Sequence, residues 1–194
     1  MNGPKTEFEK QLVQIAALGV WQIVTGHPMK KRLEPVQDPR WNEKSGIFVT
    51  LRTNGQIRGS MGLFESSTTL AETAFNVGQT AATHDSRFAP IQENEIPHLD
   101  LEVALLSEAT RLAGPHQLKL GEMGVMISRG EKRGVLLPHV AVEQKWNGEQ
   151  FLEACCEKAG LSHKAWKDAN TLVESFSCHV IQGGNLLKNI EQFI

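Results

Sequence analysis

With 194 residues, 40% of them hydrophobic and 22% charged, the chain has the size and composition of one ordinary globular core, with or without a small satellite lobe. A formal charge of −2 and a pI near 6.4 give no electrostatic footprint for nucleic acid or an anionic membrane. No apolar run approaches the ~20 residues that span a bilayer, and Met1 to Lys10 lacks the apolar centre of a secretory signal.

Thr6 and Glu9 form a capping box, and Phe8, Leu12, Ile15, Ala16, Gly19 and Ile23 then fall on one helical stripe that Gly26-His27-Pro28 ends. Asp38-Pro39 starts a turn, and Ser45-Gly46 opens the first strand. Ile47 to Thr53 alternates and is β-branched, Asn54-Gly55 is a hairpin turn, and Gln56 to Phe64 returns. Thr69 and Glu72 cap a second helix, with Leu70, Ala74, Val77 and Ala81 on its inner face. His84 to Pro97 reads as irregular, and Leu99 to Leu105 as a strand with one polar face.

Gly124 to Ser128 and Gly134 to Leu137 make another hairpin around a turn at Arg129 to Arg133. Asn147 caps a helix carrying Phe151, Leu152, Cys155 and Ala159, closed by Gly160, and a short helix follows Ser162. Leu172 to Ile181 is a long alternating strand, and Asn185 to Ile194 a terminal helix. Hairpin-joined strands with helices not alternating strictly between them predict an α+β fold, a largely antiparallel central sheet flanked by helices. The basic groups Lys30-Lys31-Arg32 and Arg129 to Arg133 read as solvated loop charge.

Chemistry could sit at three places. In Ile57-Arg58-Gly59-Ser60-Met61-Gly62, two glycines flank a small polar residue inside a strand, which argues for a bulge or a close backbone approach. A regular strand would put Arg58 on the same face as Ser60, where a guanidinium can fork onto a carboxylate or phosphate. The alternative is a bend in a curved sheet with Arg58 in a structural ion pair. The run is not a G-x-S-x-G elbow, because the first glycine adjoins the serine.

His84-Asp85-Ser86-Arg87-Phe88 packs a base, a carboxylate and a guanidinium together, to line a cleft or to order a loop. In Leu137-Pro138-His139, a strand-end loop would present His139 as a base for Ser60, or as a ligand with His84 and Asp85 or Glu102. No H-x-H, H-x-x-x-H or H-E-x-x-H spacing supports a metal, so none is expected. Cys155, Cys156 and Cys178 are too few and too poorly spaced for a disulfide framework, and read as buried packing in a reducing, cytoplasmic setting.

Read in order, these segments resemble the AMMECR-one domain family, whose prokaryotic members are called AmmeMemoRadiSam system protein A. The resemblance runs through Gly46-Ile47-Phe48-Val49-Thr50-Leu51, then Gly55-x-Ile57-Arg58-Gly59-Ser60-Met61-Gly62 and Asp85-Ser86-Arg87-Phe88-Ala89-Pro90. It continues through Glu102 to Ser107, Gly134 to Ala141, Glu143-Gln144-x-Trp146, Phe151-Leu152 and Lys158 to Leu161. It implies a single domain over residues 6–192, with a smaller second lobe placed within 110–170. It also implies a functional link with a Memo-like protein and a radical-SAM protein. Two positions depart from the family's pattern: Ser60 stands where cysteine is usual in an Arg-Gly-Cys-Ile-Gly run, and His139 where Gln or Glu follows the Leu-Pro pair.

The expected function is an accessory or ligand-binding component, with Arg58, Gly59, Ser60, Asp85, Arg87, Glu102 and His139 around a small anionic or nucleobase-like ligand. The alternative is an enzyme of unassigned reaction in a cleft around Arg58, Ser60, Asp85, Arg87 and His139, with Ser60, His139 and His84 as the candidate catalytic groups. Neither the residues nor the resemblance says which cofactor, if any, the protein uses.

Overall fold

The structure, a computed structural model, describes residues 3–43 and 45–194. It is α+β and divides into two compact units. The first holds the residues up to Leu105 together with Val180–Ile194, and the second is Leu106–His179.

In the first unit, helix α1 (Glu7–Thr25) starts at the Thr6–Glu9 capping box and ends on Gly26 in the left-handed conformation. Asp38 caps a 3-10 turn at Pro39–Asn42. Strands β1 (Ile47–Thr53) and β2 (Gln56–Leu63) form the hairpin, with Asn54 and Gly55 both at positive φ as a type I′ turn demands. Helix α2 (Leu70–Thr83) is capped by Thr69 and Glu72. A 3-10 turn at Glu93–His98, within the stretch expected to be irregular, leads into β3 (Leu99–Leu106). β1 pairs antiparallel with both β2 and β3, which makes β2 the sheet edge of this unit.

Residues alternate along β1, so Ile47, Val49 and Leu51 are buried on the face that receives α1 and α2, and Phe48 and Thr50 lie on the other. The core joins those three to Leu12, Ala16, Val77, Ala81, Leu101 and Val103.

α2 is seated by backbone contact on two sides. A Cβ placed on Gly78 would lie 2.3 Å from the Ala16 carbonyl oxygen, and one on Gly19 would lie 2.1 Å from that of Phe75. On its other flank, a Cβ on Gly59 of β2 would lie 2.3 Å from the Ala81 carbonyl oxygen. Glycine at these three positions lets helix backbones approach closer than any side chain allows.

In the second unit, β4 (Thr110–Arg111) and β5 (Met123–Arg129) pair antiparallel with β7 (Leu172–Asn185), and β5 also pairs with β6 (Lys132–Leu136). The β5–β6 turn is the two residues Gly130-Glu131, so both strands are longer than their sequence signals. Helix α3 (Pro138–Glu143) begins directly after β6, and α4 (Gly148–Lys158) follows its Asn147 cap. The expected short helix is the 3-10 turn Ala165–Lys167. Val125, Ile127, Phe151, Leu152, Cys155 and Cys156 fill this core.

β7 runs four residues beyond its expected end and passes from the second unit into the first. There α5 (Leu186–Ile190) starts on an Asn185 cap, and Leu186 and Ile190 join the first core. The alternation that buries Phe176 does not carry to Cys178, which is half-buried, or to Val180, which is 39% exposed. No helix among the described residues is long and apolar enough to cross a membrane.

Replacing Gly78 by alanine raises local helix propensity but forces α1 and α2 apart against the Ala16 carbonyl. The Gly78→Ala protein is expected to lose roughly 1–3 kcal/mol of stability, read as a lower urea midpoint at unchanged slope. An unchanged or raised midpoint would contradict the close approach.

Candidate functional site

The first unit brings six of the seven residues expected at a binding site onto one strand edge and the adjoining sheet face, with His139 in the second unit. The register explains how. From the two-residue turn, Thr53 pairs with Gln56 and Arg52 with Ile57, but Leu51 then pairs with Gly59, leaving Arg58 as the extra residue of a β-bulge. Without it, Ser60 would oppose Val49 on the core face. With it, Ser60 opposes Thr50 on the far face, and Gly59 takes the core side beneath α2. Arg58 therefore does not share a regular alternation with Ser60, as an unbroken strand would have required.

Across the sheet, Ser60 of β2, Thr50 of β1 and Glu102 of β3 are successive partners, so their side chains form one row. Ser60 Oγ and Thr50 Oγ1 are 2.9 Å apart. Gln182 of β7 extends the row, its Nε2 donating to Glu102 Oε2 at 2.6 Å, and Arg52 Nε lies 3.9 Å from the same oxygen. Thr50, Ser60 and Glu102 are half-buried, and Gln182 is exposed.

The edge of β2 is closed by the segment after α2. The Ser60 amide donates to Asp85 Oδ2 at 2.8 Å, which caps an outward-pointing strand N–H. Asp85 is buried and is gripped by Arg87, whose Nε and Nη2 donate to its two oxygens at 2.9 and 2.7 Å and whose amide donates to Oδ1 at 3.1 Å. The Arg87 guanidinium, against the opposing cost of burial, holds the Asp85 carboxyl at about 2, well below the ordinary 3.8. Arg58 forks onto Glu95 through Nε and Nη2 at 2.7 and 2.9 Å, and its Nη1 donates to the Ala89 carbonyl at 2.9 Å. That pairing holds Glu95 below the usual carboxylate range. The bend with Arg58 in a structural ion pair is thus the arrangement found, and Asp85 and Arg87 order their loop. His84 Nδ1 sits 2.7 Å from Thr83 Oγ1.

In the second unit His139 belongs to the first turn of α3 and not to a strand-end loop, because Pro138 starts the helix. Cys155 and Cys156 are fully buried, and burial pushes the Cys155 thiol up to about 12 and raises that of Cys156. Both are protonated packing groups near neutral pH. The Arg129–Arg133 group is not merely solvated: Arg129 donates to Thr171 Oγ1 and the Ala165 carbonyl and pairs with Asp168 at 3.1 Å, and Lys132 donates to the Gly160 carbonyl at 2.7 Å. Among the described residues, no group of three or more His, Cys, Asp or Glu side chains could hold a metal ion.

The family model AMMECR1 matches residues 13–181. The chain belongs to the AMMECR1 family. Relatives match across nearly the whole length. A protein of Methanothermobacter thermautotrophicus is 32% identical over 88% of this chain and 92% of its own, and protein TK0174 of Thermococcus kodakarensis is 34% identical over 92% and 91%. The crystal structure of the uncharacterized protein PH0010 from Pyrococcus horikoshii superimposes with a TM-score of 0.78 at 32% identity, covering 91% of each chain.

Sequence reasoning about this AMMECR1 domain missed Thr50, Glu95 and Gln182. Thr50 was within reach, since the hairpin register plus one bulge residue pairs it with Ser60. Glu95 and Gln182 lie 37 and 80 residues from the partners they bond, and no local spacing signals that.

Asp85 titrates lower folded than unfolded, so its contribution to stability is complete above the unfolded value of 3.8 and fades as pH falls through about 2. Asp85→Asn is expected to cost roughly 1–2 kcal/mol at neutral pH and to flatten the fall in stability between those limits. Urea titrations at several pH values check this, and parallel acid profiles for the two proteins would refute it.

Proposed function

We propose that this AMMECR1-family protein is a binding component and not a hydrolase, holding a small polar ligand on the Thr50–Ser60–Glu102–Gln182 row and acting beside a Memo-like and a radical-SAM protein. The observation that carries the reading is the bonding of Ser60. A serine nucleophile needs an adjacent base to take its proton. Here the described bonds of Ser60 run from its hydroxyl to another hydroxyl, Thr50, and from its amide to Asp85. Arg87 keeps Asp85 a weak base, and Arg58 is spent on Glu95 and Ala89. Gly59, Arg58, Asp85 and Arg87 brace the edge, and Ser60 and Glu102 meet the ligand. The two protein partners rest on the family resemblance alone.

Two measurements test the reading. A fluorophosphonate probe and activated acyl esters are expected to leave Ser60 unlabelled and to give no turnover above a Ser60→Ala control; a labelled Ser60 would make the protein a hydrolase. Co-expression of the tagged protein with the Memo-like and radical-SAM proteins of its own source is expected to recover both. Recovery no better than with an unrelated tagged protein would remove the partnership.

A further inference from the structure

Resting on that binding reading, we infer that the row takes an amino-substituted planar heterocycle of the nucleobase class, its ring against Phe48 and its amine on Glu102. Phe48 precedes Thr50 by two residues on β1 and so shares its face. Its strand partner is Gly62, and the ring lies directly over that glycine: a Cβ there would fall 2.3 Å from the ring. Phe64 meets the same ring at 64° with centroids 4.9 Å apart, which sets its orientation from the side. On β3 the partner of Phe48 is Ala104, small and apolar. A braced, half-buried aromatic ring between two small residues therefore lies one pleat repeat, about 7 Å, from a row of hydrogen-bonding groups. Aromatic shelf beside polar row is the arrangement that stacks a heterocycle and reads its edge.

The chemistry of the row narrows the class. Glu102 as a carboxylate only accepts hydrogen bonds, and its described contacts fall on Oε2. As an acceptor it therefore favours an N–H or NH₂ edge over a carbonyl edge, while the Arg52 guanidinium 3.9 Å away offsets its charge. The Thr50–Ser60 hydroxyl pair shares one proton internally and keeps one to donate, together with lone pairs to accept, so it suits a ring nitrogen or carbonyl beside that amine. Acceptor next to an adaptable hydroxyl pair fits the amino-bearing edges of cytosine, guanine or adenine better than that of uracil, which carries no amine and a single ring N–H between two carbonyls.

The test is calorimetry and saturation-transfer NMR with cytidine, guanosine, uridine and inorganic phosphate as separate probes. Cytidine or guanosine is expected to bind, with uridine weaker by about tenfold or more and phosphate silent. Glu102→Gln is expected to erase that preference, since an amide can donate as well as accept. Thr50→Val is expected to weaken every nucleoside, and Phe48→Leu to weaken them without changing their order. Circular dichroism confirms that each variant is folded. Equal binding of uridine, a preference that survives Glu102→Gln, or binding of phosphate alone would overturn the heterocycle. If no nucleoside binds while the two protein partners are still recovered, the heterocycle falls and the accessory reading stands. If neither is seen, both fall.

Discussion

One extra residue decides what this sheet edge can present. Arg58 is inserted into β2 opposite the step from Leu51 to Arg52, and every residue of β2 after it is turned to the other face. The consequence is double. Gly59 arrives on the core side, where only glycine admits the Ala81 carbonyl, and Ser60 arrives on the far side, where its hydroxyl meets Thr50. Had the strand stayed regular, a serine hydroxyl would have been pressed toward Val49 and Leu51, at the cost of an unpaired buried polar group. The bulge residue is itself held, since Arg58 is anchored to Glu95 and to the Ala89 carbonyl.

The glycines at Gly19, Gly78 and Gly59 extend this constraint through the unit. They clamp α2 between α1 and the edge strand by backbone contact on both flanks. The end of α2 is consequently fixed beside β2, and the residues that follow it, Asp85 to Glu95, fall along the strand edge. Asp85 takes the Ser60 amide and Glu95 takes Arg58. At this sheet edge the outward Ser60 N–H is thus taken by a carboxylate that Arg87 neutralises, and the side chain of the bulge residue is held by a second carboxylate, Glu95. The charges nearest Ser60 are structural, and the hydrogen-bonding capacity that remains lies on the face, in Thr50, Ser60, Glu102 and Gln182.

Much of this was legible in the sequence and the remainder was not, for a definite reason. Capping boxes at Thr6–Glu9 and Thr69–Glu72, the Asn54-Gly55 turn and the alternation of Ile47 to Thr53 are local signals, and each element they mark forms where they place it. The two glycines around Ser60 pointed to a bulge, yet composition could not say which residue was the extra one, and the fate of Arg58 and Ser60 hangs on that. Pro138 could have been read as the first residue of a helix, which would have moved His139 out of a loop. The Arg58–Glu95 and Glu102–Gln182 bonds depend on tertiary closure across 37 and 80 residues and carry no local trace.

The second unit repeats one device of the first and thereby clarifies its purpose. Phe176 is the strand partner of Gly124, as Phe48 is of Gly62, and in both pairs a Cβ on the glycine would collide with the ring. Likewise Gly134 of β6 admits the Cys155 carbonyl of α4, as Gly59 admits Ala81 of α2. A glycine opposite a phenylalanine stiffens a weak strand position by covering it, so the pairing has a structural role wherever it occurs. What distinguishes the first unit is what lies beside the pair. Phe176 is buried. Phe48 is only half-buried, and two residues further along its strand stand the hydroxyls and carboxylate of the row. The same scaffold element thus acts as covering in one unit, and in the other it leaves an aromatic surface beside a row of hydrogen-bonding side chains.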